Sequence, residues 1–137
     1  MSVNYLNPAG LHSNPAFSQF VSVGGAHKTV YIGGQNAVDK SGNVVGKGDL
    51  ATQTEQIFVN LELTLGGAGA RLENVIKWTI YVLQGQDIRA GFEVFQRVWG
   101  ERPNPPLITT LFVAGLAHPD FLAELEAIAI IPEEAQV

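Results

Sequence analysis

Residues 49–83, "DLATQTEQIFVNLELTLGGAGARLENVIKWTIYVL", carry the clearest secondary-structure signals in the chain. Five side chains of the first half lie near one stripe at helical spacing: Leu50, Thr54, Ile57, Leu61 and Leu65. This pattern is typical of a helix with one apolar face, for which Asp49 is a suitable N-cap and Gly66–Gly67 a suitable C-cap. Residues 74–83 form a β-branched and aromatic run with the length of a buried strand. The stretch therefore predicts a helix followed by a strand.

The flanking segments extend the pattern in both directions. Residues 17–23 and 30–34 are two β-prone runs around a glycine pair, which predicts a hairpin, whereas the turn-rich residues 1–16 predict an irregular N-terminal segment. After the central strand, Asp87 begins a second helical pattern that ends at Gly100, and its apolar positions are Ile88, Phe92, Phe95 and Trp99.

Two further strands are predicted at residues 107–113 and 121–131. The resulting order, β-β-α-β-α-β-β, indicates a single α+β domain over residues 1–137, with two helices packed on one mixed sheet. The strands are apolar on both faces, so the second face of the sheet also needs a cover. Self-association is the simplest way to provide that cover.

Composition narrows the possible functions. A chain of 137 residues that is 46% hydrophobic and 15% charged can bury a sizeable core. Its net charge is −5 and its eight Lys and Arg residues are scattered, so we expect no nucleic-acid partner. The chain has no cysteine, and its three histidines are not spaced with other ligand types, so we expect no metal and no cofactor.

Location is inferred from what the sequence does not contain. The first residues lack the basic start and apolar run of a signal peptide, and no stretch approaches the roughly 18 uncharged apolar residues of a membrane span. We therefore expect a cytoplasmic protein with no membrane contact.

Two glutamates interrupt the apolar stretch "LAELEAIAII", residues 122–131. Strand alternation places Glu124 and Glu126 on one face, with Cβ atoms about 6.5 to 7 Å apart. A carboxylate on such a strand costs several kcal/mol unless it is paired, hydrogen-bonded or facing a wet cleft, and apolar surroundings raise its pKa toward the range useful for acid–base catalysis. Alternatively, these glutamates end at an exposed sheet edge or pair with Lys77.

A second unusual stretch, "YIGGQNA" at residues 31–37, places two glycines at a strand end. Gly33 and Gly34 allow close approach of the backbone to a ligand, or they mark a β-bulge.

Four segments, in this order along the chain, resemble the Rid family, the YjgF-type reactive-intermediate deaminases also labelled L-PSP endoribonucleases. They are "IGGQNAVDKSGNVV", "QTEQIFVNLELTLGGAGA", "NVIKWTIYV" and "ELEAIAI". The likeness runs from about residue 17 to residue 132. It implies a chorismate-mutase-like subunit, assembled as a homotrimer with small-molecule clefts between neighbouring copies.

In the deaminase branch of that family, a glutamate on the last strand helps to position the water that hydrolyses an imine or enamine. The resemblance assigns this catalytic role to Glu124. It also places Gly34 in the substrate cleft, and it matches the backbone around Thr109 to the segment whose carbonyl meets the water.

The same branch uses an arginine just after a proline to bind the substrate carboxylate. In "PNPPLIT", residues 103–109, that position is Leu107. Two other cleft positions are also apolar, since Phe17 stands where the family has a tyrosine and Phe92 where it has an asparagine. An arginine fork on a carboxylate contributes about 1.5 to 3 kcal/mol, which leucine cannot supply.

The resemblance thus implies hydrolysis of an uncharged or apolar imine or enamine, with Arg102 or a neighbouring subunit's arginine as other possible anchors for a carboxylate. The alternative is a non-catalytic trimeric protein that binds a small molecule or has a regulatory role. Ribonuclease activity has little support from the acidic net charge.

Overall fold

A computed structural model describes residues 1–133 of the chain, so the last four residues of the predicted domain lie outside the described part. Two helices and six strands follow one another, with a short 3-10 helix at Leu72–Asn74 before the fourth strand. Their bounds are β1 Ser2–Leu6, β2 Phe20–Gly24, β3 His27–Gln35, α1 Leu50–Gly67, β4 Val75–Leu83, α2 Ile88–Trp99, β5 Leu107–Val113 and β6 Ala123–Pro132.

The main sheet has the strand order β3-β6-β4-β5. β6 runs antiparallel to both β3 and β4, whereas β5 is parallel to β4, so the sheet is mixed. Parallel neighbours need a long crossover, which α2 provides between β4 and β5. The predicted fold class, α+β with two helices on one mixed sheet, is confirmed.

Aromatic packing attaches the helices to one face of this sheet. Trp78 of β4 is fully buried, and its ring meets Phe95 edge-on with the ring centroids 5.3 Å apart. Phe58 of α1 and Trp99 of α2 contact the same indole in similar T-shaped geometry. Such edge-to-face pairs add to the stabilisation that burial alone provides.

The other face of the main sheet, turned away from the helices, is called the open face below. On β6 the burial pattern alternates, with Ala123, Leu125 and Ala127 buried beneath the helices and Glu124 and Glu126 only partly buried. Glu124 pairs with Tyr81 and Glu126 with Thr79 across the β4–β6 ladder. The two glutamates therefore share the open face, as the alternation predicts.

The N-terminal prediction is wrong in two respects. Residues 2–6 are not irregular but form β1, and the predicted hairpin between the second and third strands is absent, because β2 pairs with β1 in a separate two-stranded sheet. β3 pairs instead with β6. The segment between β1 and β2 is rich in turn formers, so the sequence around residues 2–6 does not indicate a strand. Pairing between strands that are distant in sequence leaves no local signal.

The helix starts are as predicted, but one helix end is not. Asp49 accepts a hydrogen bond from the backbone N–H of Thr52, and Asp87 accepts one from Arg89. The glycines predicted to cap α1 lie within it, and Gly69, at φ +78°, is the residue in the left-handed region. Neither helix in the described residues is long and apolar enough to span a membrane.

Candidate functional site

Glu124 lies against Gly34 where β3 and β6 meet. A Cβ atom added at Gly34 would be 2.7 Å from both the carboxyl carbon and Oε2 of Glu124. Gly34 does not have a positive φ, so its backbone conformation is open to other residues. The glycine is therefore required by the space that the Glu124 side chain occupies. The β3–β6 register also shifts between Ile32 and Gln35, so the two glycines form a bulge as well.

Asn60 of α1 fixes the chain that follows Gly34. Its amide Nδ2 donates to the carbonyl oxygens of Asn36 and Val38, both at 2.9 Å. Gln56 donates to the Asn60 Oδ1, also at 2.9 Å, which orients that amide. These bonds join the helix layer to the loop beside the glycine–glutamate contact.

Gln53, two turns before Asn60 on α1, fixes the entry to β6. It is fully buried, and its Oε1 accepts from the Leu122 N–H at 2.9 Å while its Nε2 donates to the Asp120 carbonyl at 2.8 Å. Sequence reasoning missed Gln53 and Asn60. For Gln53 a signal exists, because the glutamine occupies a position of the apolar stripe, three residues after Leu50 and four before Ile57.

The two glutamates of β6 have different environments. The Tyr81 hydroxyl donates to Oε1 of Glu126 at 2.7 Å, so Glu126 pairs with this tyrosine rather than with Lys77. This hydrogen bond, with some desolvation and the charges of both glutamates, raises the pKa of Tyr81. Within residues 1–133 no hydrogen bond or ion pair engages the Glu124 carboxylate. Glu124 is therefore the carboxylate available to a ligand or a water molecule.

Leu107 and Thr109 also face the open side, on the edge strand β5. Leu107 pairs with Lys77 and Thr109 with Thr79, whereas Glu124 is opposite Tyr81. Leu107 and Glu124 are thus two strands apart and offset by four residues, a separation on the order of 16 Å. One copy of the chain does not bring them into a common cleft.

Phe17 and Phe92 lie in the other layer of the molecule. They line a cavity of about 290 Å³ between the two helices and the covered face of the sheet. The remaining lining residues are Asn14, Ala16, Leu50, Thr54, Ile57, Phe58, Ile80, Val82, Ile88, Gly91, Phe95, Ile108, Thr110, Ala123, Glu124 and Leu125. A single chain therefore brings three of the predicted site residues, Phe17, Phe92 and Glu124, to one cavity, and Glu124 also lies against Gly34. Leu107 and Thr109 form a separate group on β5.

The prolines before Leu107 hold the segment that carries Phe17. The Ser18 hydroxyl donates to the Pro105 carbonyl at 2.7 Å, and the Ser18 N–H donates to the Pro106 carbonyl at 3.4 Å. Ser18 is buried, so these bonds are shielded from water. The "PNPP" stretch thus connects the start of β5 to the N-terminal segment.

Arg102 does not replace the missing cation beside Leu107. Its NH1 donates to the Val98 and Trp99 carbonyls at 2.9 Å, where it caps the end of α2, and its Nε donates to Glu73. That hydrogen bond is the main reason why the pKa of Glu73 is lowered. The other three arginines, Arg71, Arg89 and Arg97, are also ion-paired within the chain. Within residues 1–133 no group of three or more acidic or histidine side chains is arranged to hold a metal ion.

The fold is that of an α+β protein of the Rid type. A solved Rid-family structure from Yersinia pestis matches it with a TM-score of 0.83 and 29% identity, covering 96% of this chain and all of the other. The chain belongs to the family described as Endoribonuclease L-PSP, whose model matches residues 11–131.

Two curated relatives illustrate the range of names in this family. A RutC family protein from Pyrococcus horikoshii is 36% identical over 114 residues, which is 82% of this chain and 85% of the relative. A 2-iminobutanoate/2-iminopropanoate deaminase from Dermatophagoides farinae is 29% identical over 115 residues, or 84% and 85% of the two chains.

Proposed function

We propose that the protein hydrolyses an uncharged or apolar imine or enamine, with Glu124 as the residue that orients water. The observation that carries this proposal is the Glu124 carboxylate, which contacts Gly34 and has no hydrogen-bond partner in the described residues. The similarity to a relative named as an imine deaminase supports the reaction class.

The reaction needs only water and a group that accepts a proton. A water held by Glu124 attacks the imine carbon while one of its protons passes to the carboxylate. The carboxylate then passes that proton to the nitrogen, which gives a carbinolamine. The hydroxyl proton of the carbinolamine next moves through the same carboxylate to the nitrogen, so the C–N bond breaks as the C=O bond forms, and ammonia leaves. An enamine first tautomerises to the imine and then follows the same course.

The proposed preference for an uncharged substrate rests on Leu107. A carboxylate beside Leu107 would lose the arginine contact of about 1.5 to 3 kcal/mol, which corresponds to roughly a tenfold to 150-fold loss in binding. All four arginines of the chain are engaged in ion pairs of their own. An imine without a carboxylate does not lose binding free energy when leucine stands in place of arginine at position 107.

We also propose that the working form is a homotrimer with its clefts between copies. Leu107 and Thr109 are far from Glu124 within one chain, so a cleft that contains all three needs a second copy. The open face offers apolar surface for that contact, since Tyr31 is 79% exposed and Leu111 is 42% exposed. Light scattering on the full chain should report three copies, and a monomer would contradict the assembly.

The test compares two panels of imines made in the assay. An amine oxidase supplies imines without a carboxylate, an amino-acid oxidase supplies 2-imino acids, and ammonia release is measured for each. The wild type should accelerate hydrolysis of the first panel, and Glu124→Gln should reduce that acceleration by about 10² or more. Glu126→Gln is the matched control on the same strand and face, and it should stay within a few-fold of wild type.

Two outcomes would overturn the proposal. Undiminished acceleration by Glu124→Gln would remove the assigned catalytic residue. Turnover of 2-iminobutanoate as fast as the best uncharged imine would show that a carboxylate is anchored despite Leu107.

The second candidate is a non-catalytic trimeric protein that binds or senses a small molecule. Apolar side chains at three positions favour this second candidate, because the deaminase branch has polar residues there. The three positions are Leu107, Phe17 and Phe92. Ligand binding without acceleration of either panel would support this candidate. The family's ribonuclease label is not supported by a net charge of −5, and RNA cleavage that survives repeated purification would be needed to support it.

A further inference from the structure

The Asn36 side chain joins two strands at the point where their ladder ends. β3 ends at Gln35, whose partner on β6 is Leu125, and the chain then turns into a loop. Just after β3, the Asn36 amide Nδ2 donates to the carbonyl oxygen of Ala123, the first residue of β6, at 3.3 Å. The two residues are 87 positions apart in sequence, so this partly buried bond holds the start of β6 against the end of β3.

The Ala123 carbonyl lies in the same planar peptide group as the N–H of Glu124. A hydrogen bond to this carbonyl therefore fixes the plane from which the Glu124 side chain leaves the backbone. Within residues 1–133 no hydrogen bond or ion pair holds the Glu124 carboxylate itself. Its position is set instead by the backbone and by the space beside Gly34.

Asn36 is in turn held by helix α1 and by its own loop. Asn60 of α1 donates from Nδ2 to the Asn36 carbonyl at 2.9 Å, and the Val38 N–H donates to the same oxygen at 2.8 Å. The next residue, Ala37, is fully buried. A donor whose own backbone is fixed on both sides holds its acceptor in one position, as a functional site on rigid elements requires. One short segment thus supplies both the space for the carboxylate, at Gly34, and the bond that orients its backbone, at Asn36.

We propose that Asn36 is a positioning residue, which sets the place of the Glu124 carboxylate by holding the Ala123–Glu124 peptide group. This assignment rests on the proposed function, because the property that it explains is hydrolysis assisted by Glu124. Asn36 acts through the backbone and not on the substrate. It therefore affects the rate of the bound complex, kcat, more than it affects KM.

The test measures ammonia release from the best uncharged imine of the panel, with kcat and KM determined separately. Asn36→Ala removes the donor and should lower kcat about tenfold or more while KM stays within about twofold, because a misplacement of about 1 Å at a reacting group reduces the rate by up to about 10². Asn36→Leu keeps most of the side-chain volume without the amide. It should reproduce the loss, and it replaces Asn36→Ala if that variant does not fold.

Asn74→Ala is the matched control, because Asn74 also uses its side-chain amide to bond a backbone group, the Arg71 N–H at 2.8 Å. Asn74 lies just before β4, whereas Glu124 pairs with Tyr81 near the other end of that strand. Loss of the Asn74 bond should therefore leave kcat within about twofold of wild type. Urea unfolding of each variant shows whether the enzyme that is assayed is folded.

A double-mutant cycle with Glu124→Gln distinguishes a positioning role from a general structural one. If Asn36 acts through the glutamate carboxylate, Asn36→Ala should lower the wild-type kcat about tenfold but that of the Glu124→Gln enzyme less than about twofold. A general weakening of the structure would lower both enzymes by the same factor.

Three results would overturn the inference while the proposed function stands. They are a kcat within about twofold of wild type in both Asn36 variants, an equal loss in Asn74→Ala, or the same factor of loss in the wild-type and Glu124→Gln backgrounds. If instead the wild type accelerates no imine, or Glu124→Gln is undiminished, the proposed function fails and the positioning role falls with it.

Discussion

The contact between Gly34 and Glu124 gives the sharpest test of the proposed mechanism. In Gly34→Ala the new methyl group would be 2.7 Å from the glutamate carboxyl group, whereas ordinary contacts begin at 3.4 Å. The carboxylate must therefore move by at least about 0.7 Å. Because it is the free end of a flexible side chain, it moves at little energetic cost.

The variant separates activity from stability. Alanine makes the unfolded chain less flexible, which stabilises the fold by about 0.4 to 1 kcal/mol, and a displaced Glu124 rotamer costs about 0.5 to 1.5 kcal/mol. The net change in the free energy of unfolding should therefore stay within about 1 kcal/mol. A misplacement of about 1 Å at a reacting group reduces the rate about 10²-fold. We expect a loss of activity far larger than the loss of stability.

Gly33→Ala is the matched control, because a Cβ atom at Gly33 would have no neighbour within 4 Å. Ammonia release from the best uncharged imine measures activity, and urea unfolding measures stability. Gly34→Ala should lose about 10² in rate while Gly33→Ala stays close to wild type. A Gly34→Ala enzyme within threefold of wild type, or equal losses in both variants, would refute the assignment of Glu124.

Three further predictions concern other parts of the molecule. Gln53→Ala should lower the free energy of unfolding, measured in urea, by about 3 kcal/mol. The substitution empties a buried position and leaves the Leu122 N–H and the Asp120 carbonyl without partners. A change below about 1 kcal/mol would contradict this prediction. The pKa of Tyr81 is raised, chiefly by its hydrogen bond to Glu126, so that bond stabilises the fold below about pH 10 and the stabilisation is lost as the pH rises through the raised value. Tyr81→Phe should therefore make the alkaline decline in unfolding free energy less steep, and an unchanged decline would count against the bond. Leu107→Arg should raise activity on 2-imino acids relative to uncharged imines by about tenfold or more, and an unchanged ratio would show that position 107 does not face the substrate.

The sequence alone predicted the elements whose signals are local. Helix α1 follows from the stripe of Leu50, Ile57 and Leu61 behind the Asp49 cap, because residues three and four apart share one face of a helix. The strand at Val75–Leu83 follows from its run of β-branched and aromatic residues, which favour a strand. Glu124 and Gly34 could be selected as candidate site residues, since a charge on an apolar strand and a glycine pair at a strand end are unusual in themselves.

Strand partners and remote contacts could not be predicted in this way. Nothing near Ser2–Leu6 indicates that it pairs with β2, and the hairpin expected between β2 and β3 does not form. The resemblance brought Gly34 and Glu124 into one site, but their direct contact depends on the bulge in β3 and the register of β6. The division of the remaining site residues between the open face and the cavity likewise depends on how α2 lies across the sheet.

The difference has one physical cause. Periodicity, caps and breakers depend on residues that are neighbours along the chain, so the sequence alone indicated helices α1 and α2 and the strands of the main sheet, although not β1. Which carboxylate remains unpaired, where a cavity is left and which arginines are occupied depend on contacts between residues far apart in sequence, and only the packed tertiary structure determined those.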